Sequence, residues 1–349
     1  MSSPIHKETF HIIEAKYRVL IQYPLPKPFQ DASMGPFTSF GIGAICLRDA
    51  DGHEGEATLE TGGATILQNN LLPKLLGRHE VPYEELYRRM YWAIRNAGFR
   101  GPAADILGCL DHALHDLAAR RAGMPIYRYL GASRNRVKAY ASGGGTNLTE
   151  KELVDELCQF VESGFETVKM KVGKDFGTRM REDVKRVRAV RRAIGSDISL
   201  AVDANQIWSA GEAVEFATAI AELDIAWFEE PVHSADLLAI RDYCETSPLP
   251  AAMGESETCG KVFPALIEMG VRHLQPGGVS SIQEWLDVVT LAQSHHLDLS
   301  TGGISQQLCQ LVAVSEAAHL TEILVPIVGT LTPFFSLQPL FVFGFRQAV

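Results

Sequence analysis

The six cysteines, Cys46, Cys109, Cys158, Cys244, Cys259 and Cys309, are scattered, and no two form a CxxC pair. That argues against a zinc knuckle or a disulfide framework and fits the cytoplasm. No apolar run reaches the roughly 18–20 residues of a membrane-spanning helix. The opening Met1–Lys7 has no basic region followed by an apolar one, so a secretory signal is not expected. No Lys/Arg block stands out, and 42 acidic residues outnumber 32 basic ones for a net charge of −10. A basic nucleic-acid binder is thereby disfavoured. What is present is ordinary globular material: 46% hydrophobic and 21% charged residues over 349 positions. This suffices for two or three domains, or for one large barrel with an appendage.

The first third reads as strands followed by helices. Phe40–Leu47 is strand-like and ends at the turn Asp49–Gly52. Helical periodicity follows over Tyr83–Asn96 and over Ala103–Gly123. This order predicts a small α+β domain over residues 1–130. From about residue 136 the texture becomes alternating: Thr167–Lys171, Ile198–Asp203, Ile225–Glu229 and Ala251–Glu255 are short strands separated by amphipathic stretches such as Arg181–Ile194 and Gly211–Leu223. Such βα alternation implies a parallel sheet.

The charged ends of those strands, Lys171, Asp203, Glu229 and Glu255, are separated by 32, 26 and 26 residues, about one βα unit each. In a closed (β/α)₈ barrel such ends converge on one mouth, where these folds keep their active sites. The alternative, an open doubly wound sheet, would carry a glycine-rich phosphate loop after its first strand. Neither Gly143–Gly145 nor Gly302–Gly303 completes a GxGxxG.

One carboxylate at a strand end often only caps the next helix. Three facing one mouth repel unless protonated or neutralised by a cation. An all-oxygen set favours Mg²⁺, whereas zinc would call for His or Cys. Lys169 and Lys171 sit two apart on a strand and point to one side, with Val168 and Met170 on the other. Two lysines on a strand usually form a solvated face. Inside a barrel an inward pair is costly unless it serves the site. A lysine beside Mg²⁺ and a second lysine is expected to have a lowered pKa, which suits a general base.

The ordered set Lys169-Met-Lys171, Asp203-Ala-Asn205, Trp227-Phe-Glu229-Glu-Pro231 and Gly254-Glu255 resembles the enolase superfamily, in particular its mandelate racemase-like group. The segment Ala103–Ala118 followed by Pro125–Gly131 is similar to the helix that leads into that family's barrel. The resemblance implies a modified TIM barrel, (β/α)₇β in type, over residues 131–325. It also implies an N-terminal α+β capping domain (1–130) and a C-terminal segment (326–349) returning to the cap. It further implies a symmetric homo-oligomer and a small-molecule carboxylate substrate. By the same resemblance Asp203, Glu229 and Glu255 would bind Mg²⁺ and Lys171 would remove the substrate's α-proton. Lys169 would assist Lys171 and neutralise the substrate carboxylate, with Asn205 and Glu230 in support. Glu322 resembles a late-barrel glutamate that contacts the substrate carboxylate; a plain surface or helix-end glutamate is the alternative.

The pattern also departs from that family. An Asp after the sixth strand and a His after the seventh, a second base in mandelate racemase-like members, would fall near Gly277 and Gly302. Neither window supplies the pair, nor does the sixth strand supply the lysine of muconate cycloisomerase-like members. His295 and His296 end the preceding helix, where an exposed role is expected. With Lys171 as the evident base, the expected reaction is β-elimination of water from an acid sugar to give a 2-keto-3-deoxy acid. Alternatives are cycloisomerisation, racemisation or epimerisation with a second base from a loop, and, from another class, a non-catalytic carboxylate-binding homologue. Cap loops around Gln30–Phe40 and Thr58–Gly63 are expected to set substrate choice.

Overall fold

The computed structural model describes residues 2–59, 61–132, 134–302 and 308–327. The chain opens on an antiparallel three-stranded sheet, β1 (Ile12–Phe29), β2 (Phe37–Asp49) and β3 (Glu54–Leu59), in that order. Helices α1 (Tyr83–Ala93) and α2 (Pro102–Arg121) follow. Proline at the first position of α2 sacrifices no hydrogen bond, and Arg120 and Arg121 oppose the dipole in its last turn. Strand β3 lies so close on α2 that a Cβ at Gly55 would come within 2.2 Å of the Ala113 carbonyl oxygen. Only glycine allows that approach.

The remainder alternates strand and helix. β4 (Lys138–Gly143) and α3 (Glu150–Glu162) come first. β5 (Thr167–Lys171), α4 (Met180–Ile194), β6 (Ser199–Asp203) and α5 (Ala210–Ala219) follow. Next are β7 (Ile225–Glu229), α6 (Leu237–Thr246), β8 (Ala251–Met253) and α7 (Phe263–Glu268). β9 (His273–Leu274), α8 (Ile282–Ser294), β10 (Asp298–Ser300), α9 (Leu308–Val312) and β11 (Ala318–Leu324) complete the unit. All eight strands are parallel, follow one another in sequence order, and close where β11 meets β4. The expected (β/α)₇β barrel with an N-terminal α+β domain is the fold observed. The C-terminal segment expected over 326–349 lies, from residue 328 on, outside the described residues. Among the described residues no helix is long and apolar enough to cross a membrane.

Local signals explain the barrel's order. Thr149 with Glu152, and Ser209 with Glu212, form complete capping boxes that start α3 and α5. Helix α3 then buries Leu153, Leu157 and Phe160 at helical spacing, each contributing about 1.5–3 kcal/mol. The strands send alternate residues outward, so Val168, Met170, Leu200, Val202 and Phe228 join the core beneath the helices. Inward residues Tyr140, Ala201, Trp227 and Ala252 form a separate apolar cluster inside the barrel.

Buried polar contacts fasten the cap to the barrel. Asp111 on α2 accepts from Tyr83 Oη and from the Ile282 amide (2.8 Å) at the start of α8. Ser3 donates its amide to Gln283 Oε1 (2.8 Å), in the first turn of α8. At the same end of the barrel, past the end of β4, Thr146 holds the cap loop through Gln30 O (2.8 Å) and Asp31 O (2.6 Å).

Candidate active site

The barrel brings the predicted residues to one place. Lys171 and Asp203 are register partners, as are Asp203 and Glu229. Glu255 stands two residues past the end of β8, after Gly254 turns the chain at φ 126°. Oxygen atoms of Asp203, Glu229 and Glu255 all lie within 4.8 Å of one another.

Both lysines point into the barrel and are buried. Lys171 Nζ donates to Asp203 Oδ2 at 2.5 Å. Lys169 Nζ donates to Glu229, lies 2.9 Å from Glu322 Oε1 and 3.5 Å from Asp203 Oδ2, and sits 5.5 Å from the centroid of the Tyr140 ring. Glu322, placed on β11, is thus inside the site and not on a surface or at a helix end. Asn205 follows Asp203 and donates its amide to Asp203 Oδ1 (2.9 Å), while its own Oδ1 is buried without a hydrogen-bond partner.

Electrostatics sets the site's protonation preferences. Burial works most strongly against the Lys171 ammonium, but Asp203, Glu255 and Glu229 together hold the pKa above the ordinary lysine value. Lys169 is likewise opposed by burial and held well above it by Glu229 and Glu322. Lys169 does lower the pKa of Lys171, as expected, but the surrounding carboxylates outweigh that effect and the net direction is upward. Asp203 is the strongest of these carboxylates, so the amine of Lys171 would give up its proton more readily if Asp203's charge were engaged elsewhere. Burial pushes Glu229 upward, but Lys169 and Lys171 together hold it below its ordinary value. Glu255 is pushed well above it by burial and by Glu322 and Glu229, and its Oε2 is buried without a hydrogen-bond partner.

An orphaned carboxylate oxygen beside two further carboxylates is a donor set short of positive charge. Oxygen-only donors suit a hard divalent cation such as Mg²⁺ or Ca²⁺. The three residues fit such an ion.

Sequence reasoning missed several contributors. Trp227 Nε1 (3.1 Å) and Gln275 Nε2 (2.6 Å) both donate to Glu229 Oε2. Trp227 lies two residues before Glu229 and so shares its inward face; that signal was available. Gln275, just past β9, carried none. Tyr140 donates to Thr301 O at 3.1 Å and lines the site beside Lys169.

The two positions where a second base was sought flank Glu255. A Cβ at Gly277 would lie 3.1 Å from Glu255 O, and one at Gly302 would lie 2.9 Å from Glu255 Cβ. His295 and His296 are exposed at the far end of α8. His233 is exposed as well and accepts from the Ala235 amide. The cap loop near Gln30 reaches the site's rim, where Ala32 Cβ would meet a Cβ at Gly173.

Residues 152–335 match the family described as Enolase C-terminal domain-like, and residues 27–131 match the mandelate racemase/muconate lactonizing enzyme N-terminal domain. Among characterised proteins, the 3,6-anhydro-alpha-L-galactonate cycloisomerase of Streptomyces coelicolor is 30% identical over 84% of this chain and 83% of its own. The L-talarate/galactarate dehydratase of Salmonella typhimurium is 30% identical over 78% of this chain and 71% of its own. In structure, a magnesium-bound racemase from Streptomyces coelicolor superposes with TM-score 0.83 at 28% identity, covering 89% of this chain and 88% of that one. The Salmonella dehydratase superposes with TM-score 0.82 at 26% identity, covering 97% and 87%. The chain belongs to the mandelate racemase/muconate lactonizing enzyme family of the enolase superfamily.

Proposed function

We propose that the protein is a Mg²⁺-dependent hydro-lyase that dehydrates an acid sugar to a 2-keto-3-deoxy acid, with Lys171 as the base. The observation that carries this reading is the meeting of Lys171 with three carboxylates at one barrel mouth, while glycine occupies positions 277 and 302. Asp203, Glu229 and Glu255 would hold the ion. When bound, Mg²⁺ supplies positive charge against the substrate carboxylate and lowers the cost of the negative charge that develops as the α-proton leaves.

The rest is done by the chain's own groups. Lys169 and Glu322 bind and orient the substrate carboxylate, and Asn205 Oδ1, unpartnered and buried, accepts from a substrate hydroxyl. Neutral Lys171 Nζ takes the α-proton. The C–H electron pair becomes the new C=C bond as the β-carbon–oxygen bond breaks. The departing hydroxide leaves as water with the proton returned by Lys171, and the enol takes a proton at C3 as its C2 hydroxyl gives one up to solvent, leaving the keto acid. One base on one face suffices for this sequence, whereas inversion at the α-carbon requires proton delivery from the other face.

Cycloisomerisation is a second one-base reading. It is favoured by the 30% identity, over most of both chains, to a cycloisomerase. The two separate on turnover of a panel of aldonates, aldarates and their lactones or anhydro-sugars, with Mg²⁺ or EDTA, beside Lys171→Ala. Keto-acid formation supports the dehydratase, and an isomeric product of unchanged mass supports the cycloisomerase. Ligand binding without turnover would identify a non-catalytic homologue.

A further inference from the structure

Just outside the three carboxylates lies a second circuit of polar contacts that joins the loops after β6, β7 and β8. Gln206 Nε2 donates to Glu230 Oε2 (3.0 Å) and Ser256 Oγ (2.7 Å), and Gln206 Oε1 accepts from the Ser234 amide (2.8 Å). Glu230 Oε1 accepts from the Ser256 amide at 3.3 Å. The circuit is closed by a residue of the cap. Arg100, in the turn before α2, donates through Nη2 to Ser234 Oγ (2.8 Å) and to Glu257. Thr258 grips the same turn, donating to Phe99 O (3.0 Å) and accepting from the Gly101 amide (3.2 Å).

The circuit encloses strained backbone. Asn205, Gln206 and Glu230 adopt φ of 43°, 68° and 40°. Residues other than glycine hold such conformations only where their surroundings over-determine them. Each of the three lies one to three residues beyond a carboxylate of the candidate metal centre. Ser256 and Glu257 directly follow Glu255.

We infer that Arg100 is a positioning residue. By docking the cap turn onto Glu257 and Ser234 it fixes the strand tip that carries Glu255, and thereby sets the affinity for the divalent ion. Arg100 touches none of the three carboxylates, so its effect travels through Glu257 and the loop. This inference rests on the proposed metal centre. A salt bridge to a half-exposed arginine ordinarily does little for stability. Glu257, however, is buried with 2% of its surface exposed, and it is fastened to the loop bearing a ligand.

The test is the Mg²⁺ dissociation constant of the full chain by titration calorimetry, with thermal unfolding in EDTA measured in parallel. Arg100→Gln should weaken Mg²⁺ about tenfold, the scale of a lost outer-sphere support, while the chain remains folded in EDTA. Arg100→Lys should recover part of the affinity. Glu257→Gln should match Arg100→Gln, and the double variant should be no weaker than either single one. Tyr87→Phe, which loosens another cap–barrel contact (Tyr87 Oη to Ser280 O, 3.1 Å), should leave the affinity unchanged. Unaltered affinity in Arg100→Gln and Glu257→Gln, or an equal loss in Tyr87→Phe, would overturn the inference while leaving the metal centre standing. A folded wild-type chain that binds no Mg²⁺ would overturn both.

Discussion

Lys171 Nζ and Asp203 Oδ2 stand 2.5 Å apart on register partners of adjacent parallel strands. In the proposed reaction the same carboxylate would hold a cation while neighbouring an amine. The two charges compete for it: as a cation draws on Asp203, the ammonium loses the partner that keeps it protonated. Acid strength at Lys171 and ion binding at Asp203 are thus coupled by geometry.

That coupling predicts opposite effects for Lys171→Met. Turnover should fall by about 10³-fold, the scale of a lost general base. Affinity for Mg²⁺ should rise, because a like charge has been removed from the ion's surroundings. Calorimetric titration beside a turnover assay checks both directions.

Gly302→Ala places a methyl group 2.9 Å from Glu255 Cβ and 3.0 Å from its Cγ. The contact falls at the root of the Glu255 side chain, so the glutamate and its loop must shift, and stability in EDTA should fall by about 1–3 kcal/mol while the chain stays folded. Mg²⁺ affinity and turnover should drop together. The pair of measurements separates a displaced ligand from a damaged fold.

Two buried histidines predict the acid side of the stability profile. Burial holds His112 and His273 neutral, pushing each to a pKa of about 4. The unfolded chain binds these protons near the ordinary value of about 6.5. Between those values the unfolded state carries more protons, so stability falls as pH drops through that window and is complete above it. Each residue accounts for up to about 3 kcal/mol by pH 4 at about 1.4 kcal/mol per pKa unit. Denaturant titrations at pH 7 and pH 5 should show the loss, and His273→Gln should flatten it.

Much of the barrel was legible in the sequence because a period of two and a period of 3.6 leave different marks. The strand Ile225–Glu229 has the limits that its apolar run indicates, and the inward pairing of Lys169 with Lys171 follows from alternation alone. Glu255 was placed at a strand end, yet the strand stops at Met253 because Gly254 turns the backbone. The long first strand, Ile12–Phe29, went unread: Pro24, Pro26 and Pro28 argue against a strand. Their missing amides are tolerated because β1 is an edge strand that pairs with β2 alone. The raised pKa of Lys171 and the tie of Arg100 to Glu257 depend on distances between residues far apart in the chain, which residue spacing does not encode.

Single-base removal of an α-proton is tested by proton NMR of an acid-sugar panel incubated in D₂O with the Mg²⁺-loaded enzyme. Expected are a 2-keto-3-deoxy acid bearing one deuterium at C3, recovered substrate with no deuterium in inverted configuration at the α-carbon, and turnover by Lys171→Ala lowered about 10³-fold. Substrate recovered with deuterium and inverted configuration, or undiminished turnover by Lys171→Ala, would contradict it.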